Sequence, residues 1–428
     1  MKLTDEEVEI LNGRDGELMA KCLKTLVDYG DMFSAKRLVK TENPIHFVTS
    51  MGMTGLEECF KTLDELIKGD VKTKLPYTAD PRPYDFENIS YDEEEVESLK
   101  KLYKNQESYE KQIKDLGLKD DDSFSCTCYL DEIGNIPKRG DILSWAESSA
   151  VVFVNSVIGA RSNRNSGLIE ILGGICGKVP EFGFLLDENR KADYLIDIKT
   201  SKLPHPSLLG SAIGIKVLAK VPYIRGLDKY FKKLDDSCKD YLKDMGAASA
   251  SNGAVGLYHV ENLTPEAKDY GTDLLKKDYK TYTIDDEVLE KLYKSYPILW
   301  PSLDEKVHTV LMGCPHLSYT QLISICEKIT NKLDKLGKDR VAPRTILSAS
   351  PKVIKHFKDD KKELYDKSKK MGISIASQCP VMHMNASACG KKIVATNSNK
   401  LRTYTKARFF KDEDLLNIIV GEDYKNEI

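Results

Sequence analysis

The sequence predicts an α/β protein of two to four packed lobes with largely parallel sheets. Three observations lead to this prediction. The chain has 428 residues, which suggests more than one domain at roughly 100 to 200 residues each. Its content of 41% apolar and 31% charged residues is typical of a protein that buries a core. Short apolar runs also alternate with helical patterns along the chain, as expected for βα units.

The first predicted elements are helices. Thr4 and Glu7 have the spacing of a capping box before an apolar-periodic segment, so a helix should begin near Asp5. The same periodicity predicts a second helix over residues 17–29, and Gly30 should end it because glycine commonly follows the last helical residue.

A strand, a loop and a helix should come next. Residues 45–49 form a buried apolar run, and a glycine-containing turn separates them from the helical pattern of residues 56–68. The polar stretch over residues 80–122 includes a long charged helix at about 93–116 and is interpreted as a lobe boundary.

Further apolar runs in the second half of the chain should form the strands of the parallel sheets. These runs cover residues 194–198, 254–260, 308–312, 345–349 and 373–376.

Composition and charge exclude several classes of function. The 64 Lys and Arg residues nearly balance the 67 Asp and Glu residues, so no general positive field would attract nucleic acid. The chain has neither an export signal at its start nor an apolar run long enough to cross a membrane. We therefore expect a cytoplasmic protein whose ten cysteines are reduced and serve as core residues, metal ligands or catalytic thiols.

Residues 140–164 place polar side chains within apolar sequence, where buried polar groups need partners. The polar residues of this segment are Glu147, Asn155, Ser156, Arg161, Asn163 and Arg164. Arg161 and Arg164 are three residues apart and could present two guanidinium groups to one anion, such as a carboxylate or a phosphate. The alternative is that they form structural ion pairs with Glu147 or with nearby acids.

A second candidate site follows the predicted strand that leads into Gly313. Ser318 and Gln321 have the spacing of a capping box for the next helix. Cys314 and His316 should therefore occupy a loop at the carboxyl end of the strand, where α/β folds commonly bind ligands. The alternative is an incidental loop cysteine.

The remaining candidate thiols are Cys379, which follows the predicted strand 373–376, and the close pair Cys126 and Cys128. None has the C-x-x-C spacing that indicates a zinc or ferredoxin site. Three cysteines from distant loops could hold an iron-sulfur cluster, but their spacing alone does not select these residues.

Several ordered motifs resemble the large subunit of the aconitase X family, over about residues 3–410. They are WAESSA at 145–150, NSVIGARSNR at 155–164, SNGAVGLYH at 251–259, LTPE at 263–266, GCPH at 313–316 and TNSNK at 396–400. The resemblance implies three packed aconitase-like α/β lobes around a central active-site cleft, lacking the swivelling small domain. Residues 3–410 would be the catalytic region, and residues 411–428 a C-terminal tail.

The family resemblance also implies an activity, a cofactor and a partner. The activity would be that of a hydro-lyase that removes water from a small hydroxylated acid, such as cis-3-hydroxy-L-proline or mevalonate 5-phosphate. An iron-sulfur cluster, or a mononuclear iron, would act as a Lewis acid on the leaving hydroxyl. Little more than twenty residues follow Thr405, too few for a swivelling domain, so the base should come from a separate small subunit in a hetero-oligomer.

The matched motifs imply three sets of site residues. The metal ligands would be Cys126, Cys314 and Cys379. The catalytic residues would be Ser156, Arg161, His316 and Lys400. The residues that bind the acidic substrate would be Asn155, Asn163, Arg164, Asn397 and Ser398.

Some positions depart from the family pattern. Cys128 stands where the family usually has proline, so it could replace or supplement Cys126 as a ligand. Leu185 stands where many members have histidine, and residues 399–404 also differ. The changes at Leu185 and at residues 399–404 leave the choice between hydroxyproline and phosphomevalonate open. The changes around Asn399 and Thr403 also favour the alternative of a non-catalytic iron-sulfur protein that serves in iron sensing or assembly.

Overall fold

The structure is a computed structural model that describes residues 1–48, 55–302 and 305–423. The N-terminal elements are α1 (Asp5–Leu11), α2 (Glu17–Met32), β1 (Leu38–Lys40), β2 (His46–Phe47), α3 (Glu57–Lys68), β3 (Thr78–Ala79), α4 (Glu93–Leu102) and α5 (Gln106–Asp115). The middle elements are α6 (Ser148–Phe153), α7 (Gly167–Cys176), β4 (Lys178–Pro180), β5 (Ala192–Ile198), α8 (Pro206–Val217), β6 (Pro222–Arg225), α9 (Asp236–Gly253), β7 (His259–Val260), α10 (Pro265–Tyr270), β8 (Leu275–Ile284) and α11 (Asp286–Lys294).

The C-terminal elements complete the fold. They are β9 (Thr309–Leu317), α12 (Tyr319–Lys335), β10 (Arg344–Ala349), α13 (Pro351–Asp360), α14 (Lys362–Lys370), β11 (Ile373–Ala376), α15 (Pro380–Asn385), α16 (Ser387–Gly390), β12 (Val394–Thr396), α17 (Asn399–Tyr404), β13 (Arg408–Phe409) and α18 (Asp412–Val420).

Two parallel sheets organise the middle and C-terminal parts. The first has the strand order β7-β6-β5-β8 and the second the order β11-β10-β9-β12-β13, with every neighbouring pair parallel. In the N-terminal part, β2 and β3 form a short parallel pair. The predicted α/β class with largely parallel sheets is confirmed.

Local sequence accounts for the best-predicted elements. The capping boxes of α1 and α12 form as expected, with Thr4 and Ser318 as the N-cap residues. Helix α12 buries Leu322, Ile329 and Leu333, which lie at the spacing of one helical face. This face packs in the core that both large sheets share.

Other elements differ from their predicted bounds. Helix α2 continues through Gly30 to Met32. A side chain at Gly30 would collide with Pro180, so this glycine allows close packing against Pro180 and does not end the helix. The predicted helix 93–116 is two helices, α4 and α5. Tyr103 lies between them, is buried, and donates a 2.7 Å hydrogen bond to the carbonyl of Met382, which fixes the turn.

Two strand predictions also need correction. Of residues 254–260, only His259 and Val260 form a strand, because α9 continues to Gly253 and Ala254 then takes a left-handed conformation. Strand β2 covers His46–Phe47 of the run predicted at 45–49, and residue 49 lies outside the described residues.

Residues 412–420 of the expected C-terminal tail form α18, which buries Leu415, Ile418, Ile419 and Val420 in the shared core. No helix within residues 1–48, 55–302 or 305–423 combines the length and the apolar character that crossing a bilayer requires.

Candidate active site

Cys314 and His316 were expected in a loop after the strand, but they lie in a bulge within β9. Met312 pairs with Leu347, but the next pair joins Leu317 to Ala349, so residues 313–316 bulge out of the ladder. Gly313 begins the bulge with a φ of +99°, a conformation that L side chains rarely adopt. A Cβ at Gly313 would also collide with the carbonyl oxygen of Ser348. The bulge re-aims the side chains at the carboxyl end of the sheet.

His316 holds the three candidate thiol segments together. Its backbone N–H donates to Sγ of Cys126 over 3.3 Å, and its Nε2 lies 3.2 Å from the carbonyl of Gln378, the residue before Cys379. Its Nδ1 lies 3.4 Å from the hydroxyl of Ser125. Because a carbonyl only accepts, Nε2 carries the proton and Nδ1 accepts. His316 is fully buried, and burial lowers its pKa to about 4.

The three predicted thiols Cys126, Cys314 and Cys379 lie in one region, where the contacts of His316 join their segments. A negative charge on Cys126 would raise the pKa of Cys314, and one on Cys314 would raise that of Cys379. Burial raises the pKa of Cys314 and of Cys379 to about 12 each, and raises that of Cys126 as well. Without a bound cation the thiols are therefore protonated, and a metal would have to displace those protons.

One buried ion pair lies among the thiols. Nζ of Lys400 donates a 2.7 Å hydrogen bond to Oε1 of Glu147 and a 3.2 Å bond to the hydroxyl of Ser149. Glu147 also caps α6 through the N–H of Ala150. Burial alone would raise the pKa of Glu147, but Lys400 and these hydrogen bonds outweigh burial and lower it. The Lys400 charge also lowers the pKa of all three thiols.

Two further carboxyl groups reach this region, and sequence reasoning did not select either as a site residue. Asp80 follows β3 and contacts His46. Glu170 of α7 is fully buried and accepts hydrogen bonds from the N–H groups of Val48 and Ala146. Burial raises the pKa of both carboxyls. No signal in the sequence selected Asp80, which stood at the start of the polar stretch over residues 80–122.

Ser156, predicted as catalytic, and Asn155 and Asn163, predicted to bind the substrate, all make structural hydrogen bonds. Asn155 donates to the carbonyls of Ser162 and Gly256 and accepts from the N–H of Ser162. The hydroxyl of Ser156 accepts from the N–H of Tyr258 over 2.9 Å. Asn163 bonds the backbone on both sides of Gly183. These side chains order residues 155–163, and none has a side-chain oxygen left without a partner.

The two arginines of the same segment differ from each other. Arg161 donates to the carbonyl of Leu185 and pairs with Asp187, which agrees with the structural ion-pair interpretation. Arg164 is exposed and makes no hydrogen bond or ion pair with any residue that the structure describes. Their segment runs beside Trp145, since Ser162 accepts from the N–H of Trp145 and donates to its carbonyl. Arg164 therefore has a guanidinium group that is open to solvent.

A cavity of about 540 Å³ opens on one side of the thiol region. Cys314, Asn397 and Ser398 line it, whereas Cys126, Cys379 and Lys400 do not. Ser398 caps α17 and donates its hydroxyl hydrogen to the carbonyl of Cys314. Asn397 donates to Asp412, which also pairs with His205. The structure thus brings Asn397 and Ser398 to the Cys314 side of the site.

Several polar atoms beside the thiols have no partner. The side chain of Gln378 is fully buried, and neither of its polar atoms makes a hydrogen bond in the structure. The buried hydroxyl of Tyr129 is also unpartnered, and a negative charge on Cys126 would raise its pKa. Buried donors without acceptors are costly, and the sulfur atoms of an iron-sulfur cluster would accept such bonds. The three thiols and these donors fit that cofactor.

In the described ranges, no group of three or more His, Cys, Asp or Glu side chains is arranged to hold one metal ion. Cys128 packs in the core and bonds Thr78, and burial raises its pKa, as do the charges of Glu147, Asp80 and Cys126.

Comparison with known proteins gives consistent matches. Residues 1–188 match the family model described as aconitase X first domain, and residues 192–294 match the aconitase X second domain. The solved structure of Thermococcus kodakaraensis aconitase X in its holo form has a TM-score of 0.80 and 28% sequence identity, and the alignment covers 98% of this chain and 100% of that one.

Curated relatives are named as dehydratases. The phosphomevalonate dehydratase large subunit of Methanocaldococcus jannaschii is 33% identical over 79% of this chain and 80% of the relative. That of Thermococcus kodakarensis is 34% identical over 76% and 77%. The cis-3-hydroxy-L-proline dehydratase of Pseudomonas aeruginosa is 31% identical over 48% of this chain and 35% of the relative.

Proposed function

The chain belongs to the aconitase X family of hydro-lyases, and we propose that it is the large subunit of a dehydratase that acts on a phosphorylated hydroxy acid, phosphomevalonate. The observation that carries the proposal is the convergence of three thiol segments, joined by His316, near the Lys400–Glu147 ion pair. A buried site with one lysine, carboxyl groups and unpartnered donors can both anchor a cofactor and act on an anionic substrate.

Cys126, Cys314 and Cys379 would hold an iron-sulfur cluster. When bound, the cluster supplies a Lewis acid that polarises the leaving hydroxyl. The 3.3 Å hydrogen bond from the N–H of His316 to Sγ of Cys126 supports Cys126 as the ligand from that segment. The orphaned amide of Gln378 supports the same cofactor, because it offers a hydrogen bond beside Cys379.

Lys400, Asn397, Ser398 and Arg164 would bind the substrate. Two acceptors surround Lys400 Nζ, so its third N–H is available to an anionic group. Arg164 offers an exposed guanidinium to a carboxylate or a phosphate, groups that arginine binds with two parallel hydrogen bonds. His316, with both ring nitrogens engaged, is assigned a positioning role. Ser156 and Arg161 would shape the pocket through their backbone contacts.

The extent of similarity supports phosphomevalonate over hydroxyproline. The relatives that are named phosphomevalonate dehydratase match over about four fifths of their length, whereas the hydroxyproline enzyme matches over 35% of its own. Because the first group are named large subunits, we propose that a small subunit completes this active site and supplies the base. Those names do not favour the alternative of a non-catalytic iron-sensing protein.

The test is turnover by the chain together with its cognate small subunit, purified without oxygen. Phosphomevalonate and cis-3-hydroxy-L-proline should be assayed side by side, with each subunit alone as the control. The proposal predicts loss of water from phosphomevalonate by the complex and no turnover by either subunit alone. Turnover of hydroxyproline only would overturn the substrate assignment, and turnover of neither compound would overturn the proposed function.

A further inference from the structure

Asp80 occupies a defined position at the edge of the thiol site. It follows β3, and its backbone N–H donates a 3.0 Å hydrogen bond to the carbonyl of Phe47 in the neighbouring strand. Its side chain is 15% exposed. Oδ1 lies 3.2 Å from Nε2 of His46. No residue that the structure describes makes a hydrogen bond to Oδ2. One carboxyl oxygen is therefore fixed and the other is free to meet a ligand.

A hydrogen-bond chain supports Asp80 from behind. Asn135 donates to the hydroxyl oxygen of Thr78 over 2.9 Å, and the Thr78 hydroxyl lies 3.0 Å from Nδ1 of His46. When His46 carries its proton on Nε2, it donates that proton to Oδ1 of Asp80. The edge of the Trp145 ring, with centroids 5.8 Å apart, holds the imidazole in place.

Asp80 and Glu147 form a pair of carboxyl groups with opposite surroundings. Glu147 is held as an anion by Lys400, Ser149 and a helix N-terminus. No lysine or arginine among the described residues forms an ion pair with Asp80; both burial and the Glu147 charge raise its pKa, while His46 and Lys400 oppose them. Two carboxyls whose environments differ in this way commonly divide acid and base roles.

Backbone hydrogen bonds place Asp80 beside two of the proposed cluster ligands. The N–H of Ser125, the residue before Cys126, donates a 2.8 Å hydrogen bond to the carbonyl of Ala79, and the N–H of Cys379 donates a 2.7 Å bond to the carbonyl of Arg82. In agreement with this placement, an Asp80 charge raises the pKa of Cys126 and of Cys379, and the Lys400 charge lowers the pKa of Asp80.

We propose that Asp80 is a catalytic acid, which gives a proton from Oδ2 to the leaving hydroxyl of the substrate. This inference rests on the proposed function. In the step, the base takes the proton from carbon, and the C–H electron pair becomes the second bond of the new double bond. The C–O bond breaks with its electrons on oxygen, the Asp80 proton completes a water molecule, and Asp80 is left as a carboxylate held by His46. Exchange of protons with solvent restores both groups.

The test compares the wild-type complex with Asp80→Asn, which keeps an oxygen to accept from His46 but has no acidic proton. Phosphomevalonate is the probe, with an analogue in which fluorine replaces the leaving hydroxyl, since fluoride needs no proton to leave. We expect a loss of about 10²- to 10⁴-fold in kcat for phosphomevalonate and a much smaller loss for the analogue. The alkaline limb of the wild-type pH profile of kcat/KM should also disappear in Asp80→Asn.

Two controls separate catalysis from structure. Iron content and the visible spectrum of Asp80→Asn should match those of the wild type. Asp193→Asn changes a half-buried carboxylate of β5, which is bonded to Lys276 in the neighbouring strand β8, and should leave turnover unchanged. Equal losses on both substrates, or an unchanged rate with phosphomevalonate, would overturn the role of Asp80 while the proposed function stands. A wild-type complex that turns over neither substrate would overturn both.

Discussion

The ammonium group of Lys400 is hydrogen-bonded to the carboxylate of Glu147 over 2.7 Å, in a region where both side chains are at most 10% exposed. The two residues are 253 positions apart in the sequence, so the pair joins α17 to the N-terminus of α6. Neither charge could remain buried alone without a large cost in desolvation. The pair therefore both fixes the fold and sets the charge beside the three thiols.

Removing the lysine should destabilise the protein strongly. Lys400→Met leaves Glu147 buried without its cation, and we expect the free energy of unfolding to fall by about 3–5 kcal/mol. Chemical denaturation of the metal-free chain measures this change. Lys24→Met is the matched control, because Lys24 pairs with Asp28 on an exposed helix face and should change stability by about 0.3–0.5 kcal/mol. Equal effects of the two substitutions would contradict the buried pair.

Replacing Gly313 should disturb the thiol site through the backbone. Gly313→Ala introduces a Cβ at a φ of +99° that would meet the Ser348 carbonyl, and we expect about 1–3 kcal/mol from this collision beyond the cost of strain. Gly140→Ala is the control, since Gly140 has a φ of +85° with nothing within 4 Å and should show strain alone, about 1–2 kcal/mol. Thermal unfolding compares the two variants. A smaller effect at Gly313 than at Gly140 would refute the tight bulge.

The two neighbouring thiols of the same segment should differ in their effect on iron. Cys126→Ser removes a thiol that accepts from the His316 N–H and faces Cys314, so bound iron and the visible absorption should be lost. Cys128→Ser changes a core residue beside Thr78 and should retain iron. Iron analysis after anaerobic reconstitution measures both. Loss of iron from Cys128→Ser alone would show that Cys128 is the ligand of this segment.

Stability should fall in mild acid because of His259. Burial lowers the pKa of His259 below its ordinary value of 6.5, although the backbone carbonyl of Arg190 accepts a 2.7 Å hydrogen bond from its Nε2. The unfolded chain therefore binds a proton at a higher pH than the folded chain. As pH falls below about 6.5, this group should lower the free energy of unfolding by up to about 1.4 kcal/mol per pH unit.

The measurement is urea denaturation at several pH values from about 7.5 to about 5, a range that spans the ordinary histidine pKa of about 6.5. His259→Gln cannot take up the proton, so its stability should depend less steeply on pH than that of the wild type. The stability difference between the two proteins should therefore narrow toward low pH. Parallel curves would show that His259 does not contribute.

Local patterns predicted the parts of the fold that depend on neighbours in sequence. The capping boxes at Thr4 and Ser318 and the strand at 373–376 are of this kind. Features set by distant contacts were missed. The break between α4 and α5 depends on the bond from Tyr103 to Met382, 279 residues away, and helix α2 continues through Gly30 because Pro180 packs there.

The candidate site was predictable to a similar degree. The sequence motifs selected Cys126, Cys314 and Cys379, which the fold brings together. Residue type could not show that Asn155 is fully occupied by Ser162 and Gly256. Asp80 was missed for the converse reason, since its polar context suggested a surface segment and only the tertiary fold sets it against His46.

The most direct test of the central claim is the iron and acid-labile sulfide content of the anaerobically purified wild-type chain, measured beside Cys314→Ala together with the visible absorption spectrum. The three-thiol site predicts iron and sulfide in the wild type, with an absorption band that Cys314→Ala loses along with its iron. A wild-type chain that binds neither iron nor sulfide after reconstitution, or a Cys314→Ala variant that retains both, would contradict the claim.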